Sequence, residues 1–384
     1  MNLSDTKSAA NFQLDHFIAN NLKDYERERN FDFGHQNRKN VSCLSHYISH
    51  RVLVEYDIIN KILSTTKTGY SEKFIQEILW RIYWRGWLET HQDVWKEFLT
   101  EAKTIPDNPN YMKAVKGETE IDFFNEWIRE LKNENYLHNH SRMWFASIWI
   151  FTLKLPWQLG AAFFMKHLFD GDTASNTLSW RWVAGLQTKG KNYVARKSNI
   201  EKFSNIQVRG ITLNEFAEPL IEAKTYPFRM PIQTRNTYNR YGTLLIFDNE
   251  LNISNSKVNL SNYKQIFLLI LDNDKRKIIL SKKVLEFKQT LQLDLHKQLK
   301  NSKIIQPYFL ENFCKSSEGI DVLYPFIGEN FDYINMLKTK FSTEFNIIYN
   351  ENDIYCWEFA NKGYFNFKKN NKSIMNQISK GEHQ

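Results

Sequence analysis

The chain has 384 residues, and its 42% hydrophobic and 15% aromatic content is enough to build a large core, most simply as two domains. Its formal net charge of +8 favours a polyanionic partner by a modest margin. Three cysteines without metal-ligand spacing exclude a disulfide framework and a structural zinc site, and no apolar run approaches transmembrane length, so we expect a cytoplasmic protein that binds neither a metal nor a membrane.

The N-terminal region is predicted to begin with a polar, frayed segment, residues 1–13. Tyr25 and Arg29 then lie four residues apart in a run of charged residues, which is typical of a solvated helix face. The stretch Val41–Ser45 (VSCLS) places hydroxyl groups just before helix-like residues. Hydroxyls and backbone N–H groups near a helix start can hold phosphate oxygens, but this short motif alone does not establish such a site.

A strong helical pattern covers residues 74–88 and carries an aromatic stripe on one face. Such a stripe is typical of core packing. Glu77, Trp80 and Arg81 also share a face of this helix, and core packing does not require a carboxylate one turn before a tryptophan. The pattern leaves both packing and binding open.

Residues 89–120 are predicted to be a looser connector, and a helix resumes over Ile121–Leu131. A long aromatic helix follows. Near its start, Asn139, Arg142 and Met143 have i, i+3 and i+4 spacing and therefore share one face.

The triplet at 170–172 (DGD) sets two carboxylates on either side of a glycine that permits a tight turn. Residues 172–176 are predicted to be a loop that enters a helix, on which Asn176 and Trp180 share a face while Trp182 points elsewhere. On spacing alone, solvated acids and core tryptophans explain this stretch as well as a binding site does.

Residues 185–203 add basic side chains around Tyr193, which suits contact with a DNA backbone and equally suits any solvated loop. Residues 204–240 contain prolines and no sustained period, which predicts a linker. Residues 241–368 alternate short apolar runs with helix-like segments, and this predicts a parallel, doubly wound α/β domain without a glycine-rich phosphate motif. We expect a polar tail at 369–384.

In this order, the motifs of residues 14–200 resemble the photolyase/cryptochrome family, in which Asp-Gly-Asp, an Asn and Trp-x-Trp recur at the spacing seen from Asp170 to Trp182. The resemblance implies a mainly α fold over residues 14–203, a photolyase-like helical FAD-binding domain, followed by a smaller Rossmann-like α/β domain. The implied cofactor is FAD, bound non-covalently.

The resemblance also implies which side chains contact the cofactor. They are Tyr25, Arg29, Ser42, Leu44, Ser45, Arg81, Arg142, Asp170, Asp172 and Asn176. Arg142 paired with Asp170 would favour an anionic reduced flavin, and Asn176 would face flavin N5. Val41 stands where the family usually has a threonine, so one hydroxyl is lost.

The implied substrate contacts are Glu77, Trp80, Asn139, Met143 and Trp182. The two tryptophans would stack on flipped-out bases, Glu77 and Asn139 would hydrogen-bond the base edges, and Met143 would pack beneath them.

The residues implied in catalysis are Trp180, Trp157, Glu77 and Asn176, with Trp180 nearest the flavin in an electron-transfer pair with Trp157. The family's third, surface tryptophan has no counterpart here. Tyr111 or another tryptophan is the substitute we consider.

The implied activity is blue-light-dependent repair of cyclobutane pyrimidine dimers in DNA by electron transfer from excited reduced FAD, the reaction of a carbon–carbon lyase with damaged DNA as partner. Asn139 and Met143 stand where related (6-4) photolyases have histidines, so the lesion implied is the cyclobutane dimer. The alternatives are a cryptochrome-like photoreceptor without repair activity and a flavin-binding relic.

The family's α/β antenna domain normally precedes the helical domain, whereas here the α/β domain follows it. A permuted antenna-like domain and an unrelated appended domain both remain open, and no antenna chromophore is assigned.

Overall fold

The computed structural model describes residues 6–65, 69–106, 108–230, 236–253 and 257–380. Parts of the predicted terminal segments and linker, namely residues 1–5, 231–235 and 381–384, lie outside the described residues.

The first part of the chain is helical, as the periodicity predicts. Its helices are α1 (Lys7–Asn20), α2 (Tyr25–Glu28), α3 (Ser45–Ser49), α4 (Glu55–Thr65), α5 (Glu72–Thr90), α6 (Asp93–Thr104), α7 (Pro109–Lys116), α8 (Asp122–Glu134), α9 (Asn139–Ser147), α10 (Trp157–His167), α11 (Thr173–Ala184) and α12 (Lys197–Phe203). A π-helical turn, Ile148–Thr152, continues α9.

Two segments of this region differ from the sequence-based expectation. Residues 7–13, predicted to be frayed, belong to α1, because Ala10 is buried and the Thr6 side chain caps the helix. Residues 89–120, predicted to be a connector, contain α6 and α7. Pro109, which lies in this segment, stands at the start of α7, where its missing N–H costs nothing.

The second part is an α/β unit built on a parallel sheet. Its elements are β1 (Thr243–Phe247), β2 (Gln265–Leu269), α13 (Lys282–Gln298), β3 (Ser302–Ile305), α14 (Pro307–Cys314), β4 (Gly319–Leu323), α15 (Glu329–Lys340), β5 (Glu344–Ile348), α16 (Glu351–Trp357), α17 (Tyr364–Lys368) and α18 (Asn371–Lys380). The strand order β3-β2-β1-β4-β5 and parallel pairing confirm the predicted doubly wound arrangement.

Sequence reasoning missed several elements here, among them an edge strand and the last helix. The edge strand β3 buries only its first and last residues, so it lacks the apolar run that marks β1 and β2. Residues 371–380, part of the predicted polar tail, form α18, whose Ile374 and Ile378 are buried against the rest of the chain.

The segment predicted to be a linker has no regular helix between residues 205 and 230, yet it packs on the helical part. Val208 and Leu213 are buried, and both oxygens of Glu222 accept hydrogen bonds from Arg181, at 3.0 and 2.7 Å. Across the described ranges, no helix is both long and apolar enough to cross a bilayer.

Helix α5 lies against the α/β unit along much of its length. A Cβ added at Gly86 would stand 2.8 Å from Ala360 and 2.9 Å from Trp357, so the close approach of the two parts requires glycine at this position. Three residues on, Glu89 accepts hydrogen bonds from the Tyr324 hydroxyl at 2.5 Å and the Ile327 N–H at 2.9 Å. Burial at this contact raises the pKa of Glu89 to about 8.

This shift predicts a pH dependence of stability. The folded chain holds the Glu89 proton more tightly than the unfolded chain, so the free energy of unfolding should fall as pH rises from about 4.5 to about 8. Glu89→Gln mimics the protonated side chain and should reduce that slope in urea unfolding measured at a series of pH values. Glu26→Gln, at an exposed position of α2, should leave it unchanged. Equal slopes in the wild type and Glu89→Gln would contradict the prediction.

Candidate cofactor site

Side chains from separated parts of the helical region meet around one cavity of about 160 Å³. Of the residues that the sequence assigned to cofactor or substrate, those lining it are Tyr25, Ser42, Leu44, Ser45, Glu77, Arg81 and Asn139. The fold therefore brings together positions that lie on α2, α5, α9 and the turn before α3.

The turn before α3 is held by backbone geometry and a side-chain clamp. Cys43 has φ of 50°, in the left-handed region, which turns the chain sharply between Ser42 and Leu44. Gln13 on α1 donates to the carbonyls of Ser42 at 2.7 Å and Cys43 at 3.1 Å. This clamp fixes the hydroxyl-bearing turn at the cavity wall.

Arg142 and Asp170 form the bidentate pair that the resemblance implies. The guanidinium donates to both carboxylate oxygens, at 3.0 and 2.9 Å, while its Nε donates to the Leu137 carbonyl. Burial acts to raise the pKa of Asp170, but the charge and hydrogen bonds of Arg142, together with smaller contributions that include the charge of Arg81, outweigh it and the pKa is lowered. The pair is therefore ionised at neutral pH.

Asp172 has two structural duties. One carboxylate oxygen accepts from the Ser175 N–H at 2.7 Å and so caps the N-terminus of α11. The other accepts from Nε and Nη2 of Arg85, both at 3.2 Å. Burial would raise the pKa of Asp172, but the charges of Arg85 and Arg81 lower it.

Arg85 is a site residue that sequence reasoning missed. Arg85 also donates to Glu55 at 2.8 Å. Its buried guanidinium therefore joins α4, α5 and the loop at residues 170–172, which we call the acidic loop. The sequence offered one signal for Arg85: it follows Arg81 by four residues on α5, the spacing that puts two side chains on one helix face.

Tyr25 and Glu77 line the cavity, and Arg29 lies against Glu77. Tyr25 packs edge-on against Phe74, with ring centroids 5.0 Å apart, and Arg29 lies 3.1 Å from a carboxylate oxygen of Glu77. The Glu77 carboxylate is thus paired with Arg29, which we assign to the cofactor. Asn139, which also lines the cavity, is exposed.

The two tryptophans assigned to base stacking both stack on tyrosines of this chain. Trp80 lies parallel to Tyr364 of α17, at 3.4 Å between centroids and 11° between planes. Trp182 stacks on Tyr193 at 5.7 Å. Met143, also assigned to the substrate, is half-buried on α9. The sequence contains no signal for the contact between Trp80 and Tyr364, because the two residues lie far apart in the chain.

Trp180 is buried where α11 crosses α10. A Cβ at Gly160 would lie 2.3 Å from the Trp180 ring, so glycine makes room for it. The ring contacts Trp149 at 6.1 Å, and Trp149 contacts Tyr111 at 5.9 Å. Trp157 contacts Phe98 and Arg181, and the Asn176 amide donates to the Ala161 carbonyl at 2.9 Å.

The residues present fit FAD, which combines planar rings with an anionic diphosphate. A larger adjoining cavity of about 1180 Å³ shares Ser42, Cys43 and Tyr136 with the first, and sites for large ligands reach such volumes. Among the described residues, buried Nε of Arg38 and Nη1 of Arg81 make no hydrogen bond. Both arginines line these cavities, so anionic oxygens of a cofactor would satisfy donors that are costly to leave unpaired.

Comparisons with known proteins find similarity over part of the helical region. Residues 74–217 match the family model described as "FAD binding domain of DNA photolyase". Deoxyribodipyrimidine photo-lyase of Salmonella typhimurium is 29% identical over 192 residues, 47% of this chain and 39% of that protein. The Escherichia coli protein of the same name is 28% identical over 196 residues, 49% of this chain and 41% of that protein. The match thus spans about two fifths of the length of these relatives.

Among solved structures, a cryptochrome of Synechocystis aligns over 52% of this chain and 43% of its own, with 22% identity and a TM-score of 0.46. A bacterial class III photolyase from Agrobacterium tumefaciens aligns over 52% of this chain and 42% of its own, with 24% identity and a TM-score of 0.44.

Because Arg85 joins several parts of the site, we expect its removal to lower the free energy of unfolding strongly. Arg85→Met takes from the buried Glu55 and Asp172 the cation nearest to each, which should cost about 3–5 kcal/mol of unfolding free energy. Arg27→Met removes a guanidinium that is 72% exposed and should change stability by less than about 0.5 kcal/mol. Urea unfolding of both variants measures the difference, and equal losses would show that the buried network contributes little.

Proposed function

We propose that this chain, whose residues 74–217 match the family model of the FAD-binding domain of DNA photolyase, uses blue light and bound FAD to repair cyclobutane pyrimidine dimers in DNA. The observation that carries the proposal is that seven of the family-assigned side chains line one cavity, beside the ion pair of Arg142 and Asp170. Bound FAD in its reduced, excited form supplies the electron for the lesion.

The protein's own part is to hold and orient. Arg142, fixed by Asp170, presents a positive charge that favours an anionic reduced cofactor. Ser42, Ser45 and Arg29 supply donors for the diphosphate end. Asn176, held by the Ala161 carbonyl, is the residue we assign to the flavin N5 edge.

The lesion is expected to be the cyclobutane dimer. Splitting its ring needs electron transfer without net proton transfer, whereas a (6-4) product needs a poised acid. His138, the neighbour of Asn139, is buried, and burial lowers its pKa to about 4. It is therefore neutral at physiological pH and does not supply that acid.

Electron supply to the oxidised cofactor would start at Trp180. The implied partner Trp157 keeps its place in the proposal, and the ring contacts from Trp180 through Trp149 to the half-buried Tyr111 give a second route toward the surface. Tyr111 is thus a candidate for the role of the missing surface tryptophan.

Damaged DNA is the proposed partner, and the basic side chains after α11 are its proposed backbone contacts. Lys189, Lys191, Arg196 and Lys197 are all exposed. A cytoplasmic location is part of the proposal, since Cys43, Cys314 and Cys356 are all free and buried.

A photoreceptor without repair activity is the second candidate, and one observation favours it. Tyr364 covers one face of the Trp80 ring, the side chain that we assign to base stacking. A base that used this face would have to displace Tyr364, whereas signalling through the flavin requires no such displacement.

The decisive assay offers both lesions to the reduced holoprotein under blue light and quantifies restored pyrimidines. We expect repair of the cyclobutane dimer and no repair of the (6-4) product, for the proton-transfer reason given above. Repair of the (6-4) product alone would refute the roles of Asn139 and Met143. Repair of neither, with normal flavin photochemistry, would support the photoreceptor.

The contact between Trp80 and Tyr364 predicts a binding phenotype. Tyr364→Leu keeps an apolar side chain but removes the stacked ring, so dimer-containing DNA should bind several-fold more tightly, because stacking is worth about 1–3 kcal/mol per base. Phe365→Ala changes a neighbour that is 79% exposed and should leave affinity unaltered. Fluorescence anisotropy with a labelled oligonucleotide measures both, and an unchanged affinity in Tyr364→Leu would show that no base competes for Trp80.

A further inference from the structure

The acidic loop of the cofactor site is contacted from the α/β unit. Phe169, the residue before Asp170, stacks its ring on Phe287 of α13, with centroids 4.4 Å apart and planes at 18°. Phe287 is buried and also makes edge contacts with His46 at 5.7 Å and His50 at 5.6 Å. One aromatic side chain of the α/β unit therefore lies against both α3 and the acidic loop.

A second contact holds the backbone of the same residue. Nε2 of His50 lies 3.0 Å from the carbonyl oxygen of Phe169, and Nδ1 lies 2.7 Å from that of Asp248. Asp248 follows β1 directly, and its carboxylate accepts from Lys288 at 2.5 Å and Asn330 at 3.0 Å. The imidazole thus lies between the acidic loop and the carboxyl end of a central strand, and in its neutral form it donates a hydrogen bond to one of these two carbonyls.

Helix α13 is fixed at its beginning independently of Phe287. The Ser281 N–H donates to the Lys166 carbonyl at 2.9 Å, at the end of α10. Lys283 donates to the carbonyls of Lys132 and Asn133, at 3.3 and 3.0 Å, and also lines the larger cavity. The helix that carries Phe287 is therefore a fixed support.

Backbone hydrogen bonds also hold this loop: the Phe169 N–H donates to the Asn135 carbonyl at 3.0 Å, and the Gly171 N–H donates to the Leu168 carbonyl at 3.2 Å. Gly171 allows a turn in which the Asp172 N–H donates to the Asp170 carbonyl, and the two carboxylates face different arginines. The direction of each carboxylate depends on where the chain enters this turn, and the entry point is Phe169.

We propose that the α/β unit is part of the FAD site, with Phe287 as a positioning residue that, together with His50, fixes Phe169 and so aims Asp170 and Asp172. The proposal rests on the assignment of these aspartates to the cofactor site and is independent of whether the protein repairs DNA. It gives the C-terminal unit a role in cofactor binding that needs no second chromophore.

The test compares two buried positions one turn apart on α13. Phe287→Ala removes the ring under Phe169, while Leu291→Ala removes a similarly buried side chain from the same helix. Phe287→Leu is added because it keeps apolar volume while removing the stack. For each variant the full-length chain is stripped of flavin, FAD affinity is measured by quenching of FAD fluorescence, visible circular dichroism of the bound flavin is recorded, and stability is measured in urea.

We expect Phe287→Ala to weaken FAD binding at least about tenfold and to change the visible circular dichroism, with Phe287→Leu showing the same change at near-normal stability. Leu291→Ala should lose stability but keep wild-type affinity and spectrum. Equal affinity losses at the two positions, or unchanged affinity in both Phe287 variants, would overturn the proposal. A wild-type chain that does not bind FAD would instead overturn the cofactor assignment on which it stands.

Discussion

The structure depends on two buried arginines that must be matched by carboxylates. Arg85 lies between Glu55 and Asp172, and Arg51 contacts Asp353 at 2.6 Å as well as Glu55 and Glu250. A charge removed from water costs several kcal/mol unless it is paired, so these contacts tie the helices that carry them to one arrangement. Because Asp353 belongs to α16, the same network joins the helical part to the α/β unit.

The geometry of the candidate cofactor site depends on this pairing of buried charges. The acidic loop lies between three supports: Arg142 on one carboxylate, Arg85 on the other, and the ring of Phe287 beneath Phe169. None of these belongs to the loop. The two carboxylates of the short Asp-Gly-Asp sequence are therefore positioned by side chains from distant elements, one of which belongs to the C-terminal unit.

In doubly wound folds, ligands commonly bind at the carboxyl ends of the parallel strands. The α/β unit contacts the helical part through this edge of its sheet. The carboxyl ends of β1 and β4 meet at the point where the strand order reverses, and ligands bind at this point in such sheets. Here that edge faces the helical part, and the cavity between them, about 60 Å³, is lined by His50, Arg85 and Asp172 together with Asp248. The space that remains between the two parts at this edge is small, which accords with a role for the α/β unit in supporting the helical part.

Sequence alone determined the elements whose signal is local: the helical stripe of α5, the turn at Gly171, and the buried runs of β1 and β2. Family resemblance also named seven of the residues that line the cavity. Tertiary structure alone decided that Arg85 serves Asp172, that Tyr364 covers Trp80 and that Phe287 supports Phe169. Periodicity, capping and turn chemistry act over a few residues, whereas each of these contacts joins side chains far apart in the chain, and their pairing follows from how buried surfaces and charges fit together once the elements pack.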